Sequence, residues 1–112
     1  METGHLNVLR SAMKTYAMRT HSIASNIANA DTPGYQRVSV SFEDQLRNAR
    51  HQVPSMRDAT DVEPSMEVED GPPILEDELM NLADTQMRTQ LVTRALRDHF
   101  ELMQTGIKGR SQ

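Results

Sequence analysis

The chain has 112 residues, of which 37% are hydrophobic and 4% aromatic, with no cysteine or tryptophan. A chain of this length is expected to form one domain. A monomer of this size can bury only a thin core, so we expect neighbouring chains to complete the fold. The net charge of −4 comes from an acidic middle, because residues 58–70 hold six acidic residues and no basic one. This distribution argues against a nucleic-acid-binding face, which needs clustered bases. The lack of cysteine excludes disulfides and thiolate zinc sites.

A long amphipathic helix is predicted over residues 5–30. Its apolar positions alternate spacings of four and three residues, as in a heptad repeat with one polar interruption. These positions are Leu9, Met13, Tyr16, Thr20, Ile23, Ile27 and Ala30. The stripe needs an apolar partner, but it fits burial inside a hairpin as well as burial against another chain.

A sharp turn is predicted directly after this helix. Over residues 32–35, Pro33 and Gly34 occupy the two central positions of a type II turn. Proline fixes the first φ, and glycine supplies the positive φ of the second position. The residue before a proline avoids helical conformations, so the helix should end near residue 30 or 31.

Two asparagines share one face of the predicted helix end. Asn26 and Asn29 are three residues apart, and small residues surround them. Asn29 is predicted to cap or bridge backbone groups at the helix end or across to a neighbour. The alternative is that the two amides and the turn only finish a helix.

The middle of the chain divides into three stretches. Apolar and polar residues alternate over 38–42, which predicts a short extended segment, and residues 43–50 have the composition of a short helix. Residues 51–73 combine four prolines with the acidic run and few large aliphatic side chains, which predicts an extended, partly disordered loop. The predicted regions are therefore a first helix (1–31), a turn and middle loop (32–73), and a second helix (74–112).

The second long helix is predicted from Leu75 to Gln104, after two prolines and with acidic residues in its first turn. Its apolar residues form more than one stripe, which indicates several partners. One stripe contains Leu79, Leu82, Leu96, Phe100, Met103 and Ile107, and a neighbouring one contains Met80, Ala83, Met87, Leu91 and Ala95. The fold class expected is mainly α. The two terminal helices pair as an antiparallel coiled-coil-like hairpin.

No reaction chemistry is predicted. The four histidines, His5, His21, His51 and His99, lack the spacing of a metal pair, and no nucleotide-binding or nucleophile motif is present. We therefore expect no enzyme, no catalytic residue, no metal site and no cofactor.

The helix end and turn resemble the N-terminal signature of the bacterial flagellar axial proteins, the rod, hook and hook-associated subunits. The residues that carry this resemblance are Ser25, Asn26, Ile27, Ala28, Asn29, Ala30, Thr32, Pro33, Gly34 and Tyr35, with Asp31 between them. The second helix resembles the C-terminal helix of short rod subunits at Glu76, Glu78, Leu79, Leu82, Ala83, Gln86, Gln90, Arg94, Leu96, Phe100, Met103, Ile107 and Gly109. It departs from that pattern at Gly106, where alanine is usual.

The resemblance implies a structural subunit of the proximal rod that assembles helically, transmits torque and lines the export channel. It implies residues 25–35 as the assembly motif and packing through Leu9, Met13, Tyr16, Ile23 and the first stripe of the second helix. The implied partners are other copies, FlgC and other rod proteins, FliE, the MS-ring protein FliF and the export apparatus. The implied location is the periplasmic rod, reached without a cleaved signal peptide. The alternatives are another short rod subunit of the FlgC kind and a small cytoplasmic helical adaptor or chaperone.

Overall fold

Two long helices and a small hairpin make up the fold. The computed structural model describes residues 2–52 and 62–110, with side chains described for residues 4–49 and 62–107. The elements are helix α1 (Glu2–Ala28), strand β1 (Val38–Ser41), helix α2 (Glu43–Gln52), strand β2 (Ser65–Val68) and helix α3 (Leu75–Arg110). Helices α1 and α3 pack against each other, which confirms the predicted mainly helical hairpin. Among the described residues, no helix is both long and apolar enough to cross a membrane.

The helix boundaries differ slightly from the predicted ones. Helix α1 ends at Ala28, two residues early, because the next residues already form the turn. Helix α3 continues through Gly106 to Arg110, beyond the predicted end at Gln104. Gly106 does not have a positive φ, so it does not terminate the helix. A glycine inside a helix costs only about 1 kcal/mol relative to alanine, which an otherwise helical segment tolerates.

The middle of the chain contains a strand that the sequence did not predict. The predicted extended segment and short helix are present as β1 and α2, but the prediction of a loop was wrong for residues 65–68. These residues form β2, which pairs antiparallel with β1 in the register Val38↔Val68 to Ser41↔Ser65. Part of the predicted loop, residues 53–61, lies outside the described residues. This strand has only two apolar residues, Met66 and Val68. It forms because β1 offers it an open edge with which to pair.

The hydrophobic core is small. The buried apolar side chains are Ala12, Tyr16, Ile23, Val40 and Phe42. Leu46, Val62 and Val92 pack against the cluster that Ala12, Tyr16 and Phe42 form. The core therefore joins α1 to the start of α2 and to the middle of α3.

The seam between α1 and α3 is mostly polar. Its buried side chains include Thr15, Ser22, Asn26, Glu78 and Thr85. Of the predicted packing residues, Tyr16 and Ile23 are buried, while Leu9, Met13, Leu82 and Leu96 are half-buried. Leu79, Phe100, Met103 and Ile107 are exposed in the single chain. Packing by these four stays a prediction, and it concerns contacts with other chains.

Candidate assembly site

The predicted turn is present after α1. The amide of Tyr35 donates to the carbonyl oxygen of Thr32 at 3.2 Å, and Gly34 has a φ of 79°. This bond and this positive φ are those of the type II turn that the Pro-Gly pair predicts. Residues 31–34 are all exposed, so the tip of the turn projects from the molecule.

Asn29 closes the end of α1. Its Nδ2 donates to the carbonyl oxygen of Ser25 at 2.9 Å, and its Oδ1 accepts from Thr32 Oγ1 at 3.1 Å. The amide of Thr32 also donates to the Asn29 carbonyl oxygen at 3.0 Å. Carbonyls at a helix C-terminus lack partners within the helix. The Thr32 amide supplies a partner for the Asn29 carbonyl, and Asn29 Nδ2 adds a second donor to the Ser25 carbonyl, so Asn29 caps the helix end as predicted.

Asn26 fastens α1 to the returning strand. Its side chain is fully buried, and its amide group pairs with the peptide of Val38. Nδ2 donates to the Val38 carbonyl oxygen at 2.8 Å, and Oδ1 accepts from the Val38 amide at 3.0 Å. The Tyr35 hydroxyl donates to the same Oδ1 at 3.4 Å. The Asn26 side chain thus satisfies the N–H and the C=O of Val38, as a neighbouring strand would do.

A fully buried carboxylate completes this junction. Glu78, in the first turn of α3, has no exposed side-chain surface. Its Oε2 accepts from Asn26 Nδ2 at 3.2 Å, and its Oε1 accepts from Arg37 Nε at 2.5 Å. Arg37 Nη1 also lies 2.7 Å from Glu69 Oε2, just after β2. We call Asn26, Arg37, Glu69 and Glu78 the junction network, and it connects α1, the β-hairpin and α3.

The electrostatics of the junction network follow from its burial. A buried carboxylate is tolerated when a cation and further donors compensate it, which is the role of Arg37 and Asn26 toward Glu78. Burial alone lowers the pKa of Arg37, but hydrogen bonds to Glu78 and Glu69 outweigh it and raise that pKa above its ordinary value. The hydrogen bond from Arg37, with a further one from Ser39, lowers the pKa of Glu69. Arg37 and Glu69 therefore both stay ionised near neutral pH.

A second ion-pair cluster supports the other side of the hairpin. Arg19 of α1 holds Glu43 of α2 through two bonds, Nη1 to Oε2 at 2.9 Å and Nη2 to Oε1 at 2.8 Å. Its Nη2 also donates to the carbonyl oxygen of Val40 at 2.8 Å. Arg88 of α3 lies 3.4 Å from Glu43 Oε2. The hydrogen bond from Arg19 lowers the pKa of Glu43 although burial opposes it.

The sequence placed some of these residues correctly and missed others. Asn26 and Asn29 were singled out, and the structure brings both to the helix end. Arg37 has no part in the sequence predictions, and Glu78 enters them only as an acid in the first turn of a helix and as a member of the rod-subunit pattern. A single sequence carries no signal that pairs residue 26 with residue 78, since their proximity depends on the hairpin.

The site has a structural role: its side chains connect α1, the β-hairpin and α3. Within the described part of the chain, no group of three or more His, Asp or Glu side chains is placed to hold a metal ion. The ionisable groups of the junction network are paired with one another. The arrangement fixes the direction in which the chain leaves α1. It also fixes the position along α1 at which α3 begins, because Glu78 contacts Asn26.

Comparison with known proteins finds similarity over the same residues. Residues 6–36 match the family described as Flagella basal body rod protein. The chain is similar to the flagellar basal body rod protein FlgB of Yersinia enterocolitica, at 41% identity over 49 residues, which are 44% of this chain and 36% of that protein. It is also 40% identical over 57 residues to FlgB of Escherichia coli K12, covering 51% of this chain and 39% of that protein.

A further relative is FlgB of Salmonella typhimurium, with 43% identity over 42 residues, 38% of this chain and 30% of that protein. The matched segments thus span less than two-fifths of each of these curated relatives. The family match includes Asn26, Asn29 and the whole turn through Tyr35, so it covers the helix-end half of the site. The resemblance carried by the helix end and turn is therefore confirmed: the chain is similar to the flagellar basal body rod protein FlgB.

Proposed function

We propose that this chain is a structural subunit of the bacterial flagellar basal-body rod, in its proximal part. It assembles helically with copies of itself, and the assembled tube transmits torque and lines the export channel. The role is mechanical, with no catalytic step, cofactor or metal ion.

The observation that carries this proposal is the division of the turn motif between two tasks. Asn26 and Asn29 face inward and hold the helix end, the strand and α3 together. Residues 31–34 face outward and contribute little surface to the core of their own chain. A segment that is fixed rigidly on one side and presented on the other suits a subunit that meets neighbours at a defined angle.

The distribution of apolar surface supports the same function. The buried seam between α1 and α3 is rich in polar side chains, whereas Met80, Met87 and Leu91 on α3 are more than half exposed. Monomeric proteins seldom leave such apolar surface uncovered. A subunit whose fold is completed on assembly explains both features.

The partners proposed are other copies of this chain, FlgC and other rod proteins, FliE, the MS-ring protein FliF and the export apparatus. The chain reaches the periplasmic rod through that apparatus without cleavage of a signal peptide. Residues 25–35 form the assembly motif in this proposal. The exposed side chains Leu79, Phe100, Met103 and Ile107 pack against neighbouring subunits.

Purification of flagellar basal bodies from cells with a tagged chain tests the proposal. We expect the tag in the basal-body fraction, and we expect deletion of the gene to abolish swimming until the untagged chain is supplied. Recovery of the tag only as a discrete species in the cytosol, with normal swimming after deletion, would instead support a cytoplasmic adaptor.

A further inference from the structure

The inner edge of the two-stranded sheet is covered by its own chain. Val38 and Val40 of β1 direct their N–H and C=O groups away from β2 and toward α1. Side chains of α1 bind most of these groups, because Asn26 pairs with the peptide of Val38 and Arg19 donates to the Val40 carbonyl oxygen. The helix thus closes this edge of the sheet in the way that another strand would.

The outer edge, formed by β2, is open. The amide of Glu69 donates to the Arg37 carbonyl oxygen at 2.8 Å, so the backbone of Glu69 faces β1. Because the direction of the backbone groups alternates along a strand, Met66 and Val68 direct their N–H and C=O groups outward. Within the described part of the chain, no further strand pairs with them.

The side chains along this edge are also uncovered. Met66 lies opposite Val40, which is buried in the core, so Met66 and Val68 continue the core face of the sheet. Their side chains are nevertheless 56% and 67% exposed. Glu67 lies on the opposite face, is exposed, and forms no ion pair with a described residue.

We propose that the open edge of β2 binds a short extended segment of another protein, in which a basic side chain stands between two apolar ones. This segment adds a third strand to the sheet. Its basic side chain lies opposite Glu67, and its apolar side chains lie beside Met66 and Val68. The site is additional to the proposed contacts between copies of this chain, because its occupant is a different protein.

Backbone pairing would hold such a segment. A two-stranded hairpin is marginally stable by itself, and an added strand satisfies the polar groups of an open edge. The edge is short, because Pro64 has no N–H to donate and the chain turns at Gly71, which has a φ of 104°. Met66 and Val68 between these limits offer N–H donors and C=O acceptors to a segment of about three residues.

Charge selects a basic segment. Residues 62–71 contain four acidic side chains and no basic one. Cations from other parts of the chain pair with Glu63 and Glu69. Glu67 is the acid within β2 itself, and its charge remains for a partner. Opposite charges on neighbouring strands attract each other and like charges repel, so a Lys or Arg opposite Glu67 is favoured.

The same charge disfavours a second copy of this chain as the occupant. Two antiparallel β2 strands that pair through Met66 and Val68 place Glu67 of one copy opposite Glu67 of the other. A slip of two residues in one direction sets Glu67 against Glu69, and a slip in the other direction uses Pro64, which lacks an N–H. Charged residues and proline commonly protect open strands against pairing with their own kind. The edge therefore rejects like strands and accepts an unlike, basic one.

Nuclear magnetic resonance titration of the isotope-labelled full chain with synthetic peptides tests this site. The Lys probe is the heptapeptide Ser-Thr-Val-Lys-Val-Thr-Ser, and the Glu probe has Glu in place of Lys. We expect the Lys probe to shift the amide signals of Met66 and Val68 and to bind about tenfold more tightly than the Glu probe at low salt. Absence of binding, equal binding of both probes, or shifts confined to other parts of the chain would overturn the proposal.

A charge reversal tests the role of Glu67. Glu67→Lys should reverse the preference, so that the Glu probe binds about tenfold more tightly than the Lys probe. The matched control is Glu76→Lys, which makes the same change in an exposed acid outside the hairpin and should leave the preference unaltered. If both variants change the preference equally, the overall charge of the chain selects the probe, and the pairing with Glu67 is refuted.

Val68→Pro tests the backbone pairing. Proline removes an N–H that points outward, whereas the bonds of β2 to β1 come from the neighbouring residues. The variant should keep the far-UV circular dichroism of the wild type and lose binding of both probes, and a folded variant that still binds would show that the edge is not the site. If the variant unfolds, the reversal in Glu67→Lys decides.

Two other outcomes are distinguishable. Self-association of the wild type that Glu67→Lys or Val68→Pro abolishes would identify a second copy as the occupant and overturn the unlike partner. Presence of the chain in basal bodies, the test of the rod function, does not depend on the peptide titrations. Failure of either one therefore leaves the other standing.

Discussion

Replacing Asn26 by aspartate should unfold most of the chain, although it changes one atom in the side chain. The substitution exchanges Nδ2, which donates to Val38 and Glu78, for an oxygen that can only accept. Nδ2 lies 3.2 Å from Glu78 Oε2 and 2.8 Å from the Val38 carbonyl oxygen. The variant therefore brings two carboxylates together in a fully buried position.

The size of the effect follows from these distances. Two unit charges about 3 Å apart repel by about 5 kcal/mol at an effective dielectric constant of about 20. The lost hydrogen bond to Val38 adds about 1 kcal/mol. Small domains are stable by about 5–15 kcal/mol in total, and the small core here places this chain toward the low end.

Asn29→Asp is the matched control, because it makes the same chemical change three residues later. Asn29 Nδ2 donates to one carbonyl oxygen, that of Ser25, and no carboxylate contacts it among the bonds described for the chain. Its loss should cost about 1–2 kcal/mol, including the unfavourable charge at a helix C-terminus.

The measurement is thermal unfolding followed by far-UV circular dichroism, at one protein concentration for all three chains. We expect Asn29→Asp to keep its helical signal with a lower midpoint, and Asn26→Asp to lose most of the signal already at low temperature. Equal midpoints for the two variants would show that the Asn26–Glu78 contact does not hold the helices together.

Three further predictions concern the turn, the pH dependence and the exposed face. Gly34→Val should cost about 1–2 kcal/mol, because the φ of 79° is strained for a β-branched residue while a Cβ would meet nothing within 4 Å; if overexpression restores swimming fully, the turn has no assembly role beyond folding. Hydrogen bonding to Arg19 holds the pKa of Glu43 below its ordinary value of 4.5, so its stabilisation is complete above that pH and disappears as the pH falls through the lower folded value. Glu43→Gln should therefore unfold less steeply in acid titrations than the wild type, and an unchanged slope would count against the Arg19 contact. The thermal midpoint of the wild type should rise with protein concentration, and Met87→Glu should remove that rise; a midpoint independent of concentration in the wild type would argue against burial of this face on association.

Local features of the fold could be predicted from the sequence because local chemistry determines them. The Pro33-Gly34 pair restricts its own backbone, and the apolar spacing in α1 has the period of a helix. The start of α3 follows from the prolines before it and the acids in its first turn. These signals act over a few residues, so a single sequence contains them.

The strand β2 and the junction network could not be predicted, because each depends on segments far apart in the chain. Residues 65–68 have an unremarkable composition, and they form a strand because β1 lies beside them. Glu78 is one of three acids in the first turn of α3, and the sequence alone does not indicate which of them is buried. The apolar stripe of α1 suggests an apolar interface between the helices, but many of the side chains buried there are Thr, Ser and Asn.

The contact between Asn26 and Glu78 spans 52 positions of the chain. Helices form from near neighbours within about a microsecond, whereas pairing of distant segments must wait for both to be present. Val38, which takes two of the hydrogen bonds of Asn26, follows it by 12 residues and is available early in synthesis. The bond to Glu78 has to wait until the first turn of α3 has been added to the chain. The contact between the two long helices is therefore the last part of the fold to close, and the first helix stays free to move against the hairpin until then.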